Sequence, residues 1–331
     1  MPEPVETGEI HFFYRTAMEV EQPQGPDDLQ RVFMALVPDG EGRARLFLIG
    51  RKRLPEIVED EAGPDARNWM LLTEVGPIEA VGKALHPVRY KTETRGTRET
   101  AEAIPAGSGR YAIVQRDDAT QLAYRLSVPS NPGAAQKALR IHSAARFVIA
   151  VRNPDIDVPG FPDAKPDYPA DLQRAFAEER WIDISDARLL DYENAQLVLI
   201  GAAHDLDPLD ADLDGQADPF DRFGLDADIW PDAPLRSGAF AAPKHAADPV
   251  ESSGDRSKGG NRGGLAAAQT DSAAGVAAAL KGISFPAVRA GLVGQAQDND
   301  APPEVISLLK ALPDGKFETM ADVALAVGEL R

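Results

Sequence analysis

Residues 32–49 read Val-Phe-Met-Ala-Leu-Val-Pro-Asp-Gly-Glu-Gly-Arg-Ala-Arg-Leu-Phe-Leu-Ile, and this stretch decides the fold class. Two apolar runs, Val32 to Val37 and Ala44 to Ile49, lie on either side of a segment rich in proline, aspartate and glycine. Turn residues between two runs of β-branched and aromatic character are typical of a β-hairpin. The stretch therefore predicts two antiparallel strands.

The same alternation of short apolar runs and turn clusters continues in both directions, from Glu9 to about Ile200. Further strands are predicted at 10–15, 69–75, 110–115, 122–128, 146–151 and 196–200, with a second hairpin around the turn residues 115–120. Helical spacing is limited to 77–85, 134–142 and 169–179. Strands with a few scattered helices predict an α+β domain with a mainly antiparallel sheet over residues 1–204.

The composition changes after Gly201, and residues 205–272 are dominated by Asp, Gly, Pro, Ala and Ser. So little apolar surface cannot offset the backbone entropy that is lost on ordering, and we therefore predict a disordered acidic linker. Four aromatic residues interrupt it: Phe220, Phe223, Trp230 and Phe240. Two interpretations of them stay open, docking on the N-terminal domain or a short motif that folds on a partner.

Helical periodicity returns from Ala273. One helix is predicted from Pro286 to about Gln297, a second begins at Pro302-Pro303 and stops at Pro313, and a third begins near Thr319. These segments predict a small three-helix bundle over residues 273–331.

Three short motifs recur in order in the C-terminal segment: Gly282-Ile-Ser-Phe-Pro286, Leu312-Pro-Asp314 and Ala321-Asp-Val323. With them the segment resembles the bacterial domain of unknown function 2795, a resemblance that implies a small helical domain and no catalytic residues. The N-terminal part, with His-Phe-Phe-Tyr-Arg at 11–15 and Gly-Arg-Lys-Arg-Leu-Pro at 50–55, is similar to an uncharacterised prokaryotic family. That resemblance implies no activity either.

Composition narrows the classes of function. The net charge of −18 repels phosphate backbones and anionic membranes, so nucleic acid is disfavoured as a partner. The chain contains no cysteine, which excludes disulfides, thiolate nucleophiles and zinc sites of the cysteine type. No apolar run approaches the length of a membrane span, and the first residues lack the features of a signal peptide. A cytoplasmic location is therefore expected.

One acidic stretch has the spacing of a calcium-binding loop. Acidic residues occupy loop positions one, three, five, nine and twelve, with Gly215 at position six; they are Asp210, Asp212, Asp214, Asp218 and Asp221. Position twelve is Asp where Glu is usual, and Pro219 lies inside the loop. Calcium capture and an acidic solvated linker both remain open, and no other cofactor is expected.

A basic cluster, Arg51, Lys52 and Arg53, directly follows the second strand of the opening hairpin. Arg15, Arg95 and Arg98 are the other basic candidates, and if these side chains converge they form an anion site. The alternative is that they are ordinary surface charges that offset nearby acidic residues. The five histidines are far apart in sequence, and no two of them have metal-ligand spacing.

Two classes of function follow. The sequence favours a non-enzymatic binding or interaction protein with two modules, which implies an unknown protein partner. The alternative is an enzyme or ligand-binding domain that acts on an anionic phosphate, carboxylate or nucleic acid ligand at the basic residues. Whether the protein is an enzyme is left open.

Overall fold

The computed structural model describes the N-terminal part almost continuously and the C-terminal part in shorter pieces. The described residues are 4–17, 20–57, 64–92, 96–116, 119–158, 160–206, 213–245, 247–251, 279–280, 283, 286–299, 301, 303–313, 315–317, 322–323 and 326–327. The chain divides into two compact units. Unit 1 comprises Met1–Asp157 and Lys165–Ser252, and unit 2 comprises Val158–Ala164 and Ser253–Arg331.

Unit 1 is built on strands that are mostly long and antiparallel. They are β1 (Glu6–Thr16), β2 (Leu29–Pro38), β3 (Arg43–Ile49), β4 (Arg67–Pro77), β5 (Val88–Thr92), β6 (Gly96–Glu99), β7 (Ile104–Arg116), β8 (Ala119–Val128), β9 (Ala144–Arg152), β10 (Trp181–Ile182), β11 (Gln196–Ala203) and β12 (Val250–Glu251). Eight strands of the nine-stranded large sheet follow the order β9-β11-β4-β3-β2-β1-β7-β8, and β8 pairs back with β9, so the sheet closes on itself. The ninth strand, β10, pairs with β9. The predicted α+β class with a mainly antiparallel sheet is confirmed.

Both predicted hairpins are present. In the first, β2 pairs with β3 so that Phe33 lies opposite Leu48. The turn between them uses Gly40 at φ 76° and Gly42 at φ 63°, in the left-handed region that glycine adopts without a steric penalty. The second hairpin joins β7 to β8 in the predicted place.

Short helices accompany the sheet. They are α1 (Ile78–Leu85), α2 (Ala134–Leu139), α3 (Ala170–Ala175), α4 (Pro219–Phe223) and α5 (Ala233–Arg236). The first three lie where helices were predicted, but α2 and α3 end earlier. Arg140 has φ 57° and Ala177 has φ 46°, and a left-handed residue stops a helix.

The core fills the enclosed side of the closed sheet. Alternate residues of all eight strands belong to one buried cluster, for example Ile10, Phe12 and Tyr14 of β1. Because side chains alternate between the faces of a strand, this period of two places them all on the same, inner face. Aromatic rings fill much of this space, with Phe12 edge-to-face on Tyr124 and Tyr124 stacked on Phe147. The interior is therefore a packed core.

Residues 213–251, which we call the strap, differ from the predicted disordered linker. Leu213, Phe223, Trp230 and Leu235 are buried, and α4 begins at Asp218, whose side chain accepts a hydrogen bond from the backbone NH of Phe220. The apolar residues are too sparse for a core of their own, but the finished sheet provides surface on which each can pack. Of the two interpretations of the aromatic residues, the structure supports docking on the N-terminal unit. Residues 252–272 lie outside the described residues.

Unit 2 is helical in its described part, with α6 (Arg289–Asp298), α7 (Pro303–Ala311) and two short strands, β13 (Ala287–Val288) and β14 (Lys316–Phe317). Its buried cluster includes Leu292, Val305, Leu309 and Val323. The described residues of the predicted third helix, 322–323 and 326–327, are helical. None of the helices described in either unit is long and apolar enough to cross a membrane.

Candidate functional site

Three arginine side chains meet at one carboxylate on the surface of unit 1. Arg51 Nη1 lies 3.0 Å from Asp65 Oδ1, while Arg53 Nη2 and Arg140 Nη2 lie 3.4 and 3.3 Å from Asp65 Oδ2. Glu56 is 3.6 Å from Arg140. The side chains of Arg51 and Arg53 are 49% and 37% exposed, so solvent reaches the group. The hydrogen bond from Arg140 holds the pKa of Asp65 below its ordinary value.

Three separate segments position these groups. Arg51 and Arg53 follow β3, as the sequence indicated, and Asp65 lies in the short turn that leads into β4. Arg140 ends α2, and its left-handed backbone directs the chain toward β9. The structure therefore brings together two of the predicted basic residues, and it adds Arg140, which sequence reasoning missed because α2 is distant from β3 in the chain.

Two histidines lie next to this group. The ring centroids of His142 and His204 are 4.4 Å apart with the planes nearly perpendicular. Burial, His204 and Arg140 together lower the pKa of His142. The pair forms because β9 and β11 are neighbours in the sheet, which sequence spacing alone did not reveal. We call Arg51, Arg53, Arg140, His142 and His204 the arginine–histidine patch.

Two of the other predicted basic residues, Lys52 and Arg15, do not join the patch. Lys52 donates to the carbonyl oxygen of Leu29, and burial lowers its pKa. Arg15 is buried and donates to the carbonyl oxygens of Ala84 and His86, at the C-terminal end of α1. Burial lowers the pKa of Arg15 to about 9, and Arg31 adds to the effect.

Two candidates of the basic set are outside what the structure describes. Arg95 lies outside the described residues, as does the side chain of Arg98. Their participation in an anion site stays a prediction.

The predicted calcium loop is described only from its fifth position onward. Asp210 and Asp212 lie outside the described residues. Asp214 lies 3.6 Å from Arg125, and the side chain of Asp218 accepts from Phe220 at the start of α4. Asp221 is exposed in the first turn of that helix. Within the described residues no group of three or more acidic or histidine side chains could hold a metal, and calcium binding by this segment stays a prediction.

A serine, a histidine and a glutamate form a hydrogen-bonded chain on β1 and β7. His11 Nδ1 is 2.9 Å from Ser108 Oγ, and His11 Nε2 is 3.2 Å from Glu9 Oε2. An ionised carboxylate only accepts, so Nε2 carries the proton and Nδ1 accepts from the serine hydroxyl. Burial raises the pKa of Glu9, but the hydrogen bonds from His11 and Arg222 outweigh it and bring the value to about 2.

This chain of side chains is buried beneath the strap. His11 and Ser108 are fully buried, and the ring of Phe223 lies edge-to-face on His11 at 5.1 Å. Arg222 of the strap makes a bidentate ion pair with Glu9. A catalytic serine must be reachable by its substrate, and Ser108 is fully buried. In the folded structure these residues instead hold the strap against β1.

We expect the stability of unit 1 to fall as the pH is lowered from about 7.5 to about 5.5. Burial holds the pKa of His11 below the ordinary value of 6.5. At a pH between the pKa of His11 in the folded protein and 6.5, His11 binds a proton in the unfolded chain but not in the folded chain. The stability conferred by neutral His11 is complete above 6.5 and is lost as the pH falls. Denaturant unfolding followed by fluorescence measures this, because all three tryptophans lie in unit 1.

The matched variant for this measurement is His11→Gln, which keeps a polar side chain and cannot titrate. Its stability should change less with pH over the same interval. Glu9 titrates near pH 2, and His142, whose pKa is also lowered, remains in the variant and keeps part of the slope. An unchanged slope would show that His11 is not the responsible group.

A second charged network lies at the inner face of the sheet. Arg45 is fully buried, and its Nη1 donates to both carboxylate oxygens of Glu6 at 2.7 Å. Its Nε donates to Asp191 at 2.8 Å, and the hydroxyl of Tyr111 donates to Glu6 at 2.5 Å. Burial alone lowers the pKa of Arg45, but the charge of Glu6 outweighs it and raises the value. The charges of Arg45, Glu6 and Asp191 are paired with one another, which leaves the arginine–histidine patch as the exposed candidate site.

Comparison with known proteins yields one match. Residues 271–324 match a family described as "Protein of unknown function (DUF2795)". No curated protein and no solved structure gives a significant match. The C-terminal resemblance predicted from the three motifs is confirmed, and the N-terminal resemblance stays a prediction. The match brings no activity with it.

Proposed function

We propose that the protein is a non-enzymatic binding protein with two modules, and that unit 1 binds a small anionic ligand that carries phosphate or carboxylate groups. The observation that carries the proposal is the meeting of Arg51, Arg53 and Arg140 at Asp65 on an exposed surface. Three guanidinium groups converge on the carboxylate of Asp65, with Glu56 beside Arg140, in a chain of net charge −18.

The chemistry of the patch fits such a ligand. Guanidinium groups present planar pairs of donors that match the oxygens of phosphate and carboxylate, and they stay charged at any physiological pH. Arg53 and Arg140 are each engaged through some of their five donors. His142 and His204 add two imidazole rings, which contact each other, and His142 lies near Arg140. The ligand class is therefore a compact anion.

Two further observations favour binding over catalysis. The serine–histidine–glutamate chain is closed to substrate by the strap, as described above. The patch itself pairs its cations with a carboxylate, and Asp65 holds the arginines in place in the absence of ligand. Prearranged arginines lose less side-chain entropy when an anion arrives, which improves affinity.

We expect Arg53→Ala to weaken binding of inorganic phosphate and citrate about tenfold or more. A hydrogen bond to a charged group contributes about 1.5–3 kcal/mol, and every 1.4 kcal/mol is about a factor of ten in affinity. Calorimetric titration of the full chain at low salt measures the change. The control is Arg236→Ala, which removes an exposed arginine that is also paired with an aspartate, Asp232, away from the patch.

A second variant is expected to strengthen anion binding instead of weakening it. Asp65→Asn removes the competing negative charge and keeps an acceptor for the arginines, so phosphate should bind more tightly than in the original protein. Damage to the fold cannot produce a gain in affinity. No detectable binding of either anion, or equal binding by Arg53→Ala and the original chain, would refute the proposal.

A further inference from the structure

An open groove runs along the surface of unit 2. Its volume is about 690 Å³. Six of the residues that line it are Val288, Arg289, Val293, Gly294, Lys310 and Gly315. They come from β13, α6, the end of α7 and the turn that follows, so two helices and a strand hold its walls in place. A groove of this size accommodates a short stretch of peptide or a small molecule.

The floor of the groove is apolar and open. Val288 is 54% exposed, and among the described residues it is the more exposed of the two large apolar side chains that lie on the surface. Gly294 lies in the middle of α6, and a Cβ placed on it, or on Gly315, meets no atom within 4 Å. Glycine at these positions leaves space where any other residue would project a side chain. Val288 and the open space beside the two glycines form a surface on which an apolar side chain of a bound molecule can be buried.

Cations border this apolar floor. Arg289 Nη1 donates to the carbonyl oxygen of Leu312, which fixes its guanidinium at the edge of the groove. The exposed side chain of Lys310 stands at the end of α7. In a chain with 53 acidic and 35 basic residues, the lysine ammonium that lines this groove favours an acidic occupant.

We infer that the groove receives a short segment of a partner protein in which acidic and apolar residues alternate. Its apolar side chains pack on Val288 and Val293, and its carboxylates face Lys310. Nucleic acid lacks the apolar side chains, and the net charge of −18 repels it. The inference concerns unit 2 alone and stands independently of anion binding by unit 1.

The test uses the full chain and a fluorescently labelled synthetic peptide of alternating leucine and glutamate, followed by anisotropy. Lys310→Glu should weaken its binding about tenfold or more, because an attractive charge becomes repulsive. The matched control is Lys137→Glu, which makes the same change at an exposed position of α2 in unit 1. Peptides with lysine in place of glutamate, or serine in place of leucine, should bind at least about tenfold more weakly.

Gly294→Leu provides a variant that blocks the groove without harming the helix. Leucine favours helix more than glycine, and its side chain enters space that is open. The variant should keep its helical circular dichroism and lose the peptide. Retention of full affinity by Gly294→Leu or Lys310→Glu, or preference for the lysine peptide, overturns the inference.

Sedimentation velocity of the full chain tests whether a second copy of the same protein occupies the groove instead. A monomer at all concentrations is the expected result. A concentration-dependent dimer that Lys310→Glu abolishes would assign the groove to self-association and overturn the choice of partner.

Discussion

Arg45→Met is expected to lower the free energy of unfolding of unit 1 by about 3–5 kcal/mol. The substitution keeps the apolar volume of the side chain and removes its charge. Glu6 then keeps a negative charge in a buried position without its guanidinium partner, and desolvation of that charge is no longer offset. Denaturant unfolding followed by tryptophan fluorescence measures the loss, because all three tryptophans belong to unit 1.

Two further variants separate this cause from a general packing defect. Arg45→Met combined with Glu6→Gln removes the unpaired charge, keeps an acceptor for Tyr111 and should restore much of the stability. Arg43→Met removes a half-exposed ion pair to Asp191 and should cost no more than about 1 kcal/mol. Equal losses in Arg45→Met and Arg43→Met would contradict the assignment of the effect to burial.

The local features of unit 1 were predictable because they depend on neighbours in sequence. Residues 32–49 contain both strands and the turn, and the glycines that need positive φ are at 40 and 42. The ends of α2 and α3 were predicted too late, because left-handed residues other than glycine, such as Arg140, carry no clear signal in sequence.

The closure of the sheet required information that a single sequence does not contain. β8 and β9 pair along their length, but the pattern of their apolar residues is satisfied equally by an open sheet. The candidate site depended on this closure. Arg140 reaches the carboxylate that Arg51 and Arg53 contact because α2 lies near the end of β3 in space, and His142 meets His204 because β9 and β11 are neighbours. No spacing in the chain predicts either meeting.

The strap shows how composition can mislead. Residues 213–251 have few apolar side chains, and the entropy argument for disorder assumes that a segment must bury them against itself. Here the buried apolar residues, such as Leu213 and Phe223, pack on the rest of unit 1. Tyr14, for example, exchanges hydrogen bonds with the backbone of Ala241 through its hydroxyl group. A segment that docks needs fewer apolar residues than one that folds alone.

Trp230→Ala is expected to release the strap, with a loss of about 3–5 kcal/mol where docking and folding are coupled. Trp230 is only 2% exposed, and its ring lies edge-to-face on His86 at 4.8 Å. Lys244 approaches the carbonyl oxygen of Trp230 at 3.4 Å, while its own backbone NH donates to Glu102. Removal of the indole leaves a cavity where the strap meets the end of α1, and the contacts around that cavity become weaker.

Limited proteolysis with mass spectrometry measures the release, because proteases cut backbone that is transiently unfolded. In the original protein, cuts between residues 213 and 251 should be slow, and in Trp230→Ala they should be much faster. Ile229→Ala, a smaller change at a half-buried neighbour, should remain close to the original protein. If the original chain is cut there as fast as Trp230→Ala, the strap is not stably docked and the linker interpretation regains its support. If the original chain is cut slowly and Trp230→Ala is cut fast, the indole of Trp230 is what keeps this acidic segment docked on the rest of unit 1.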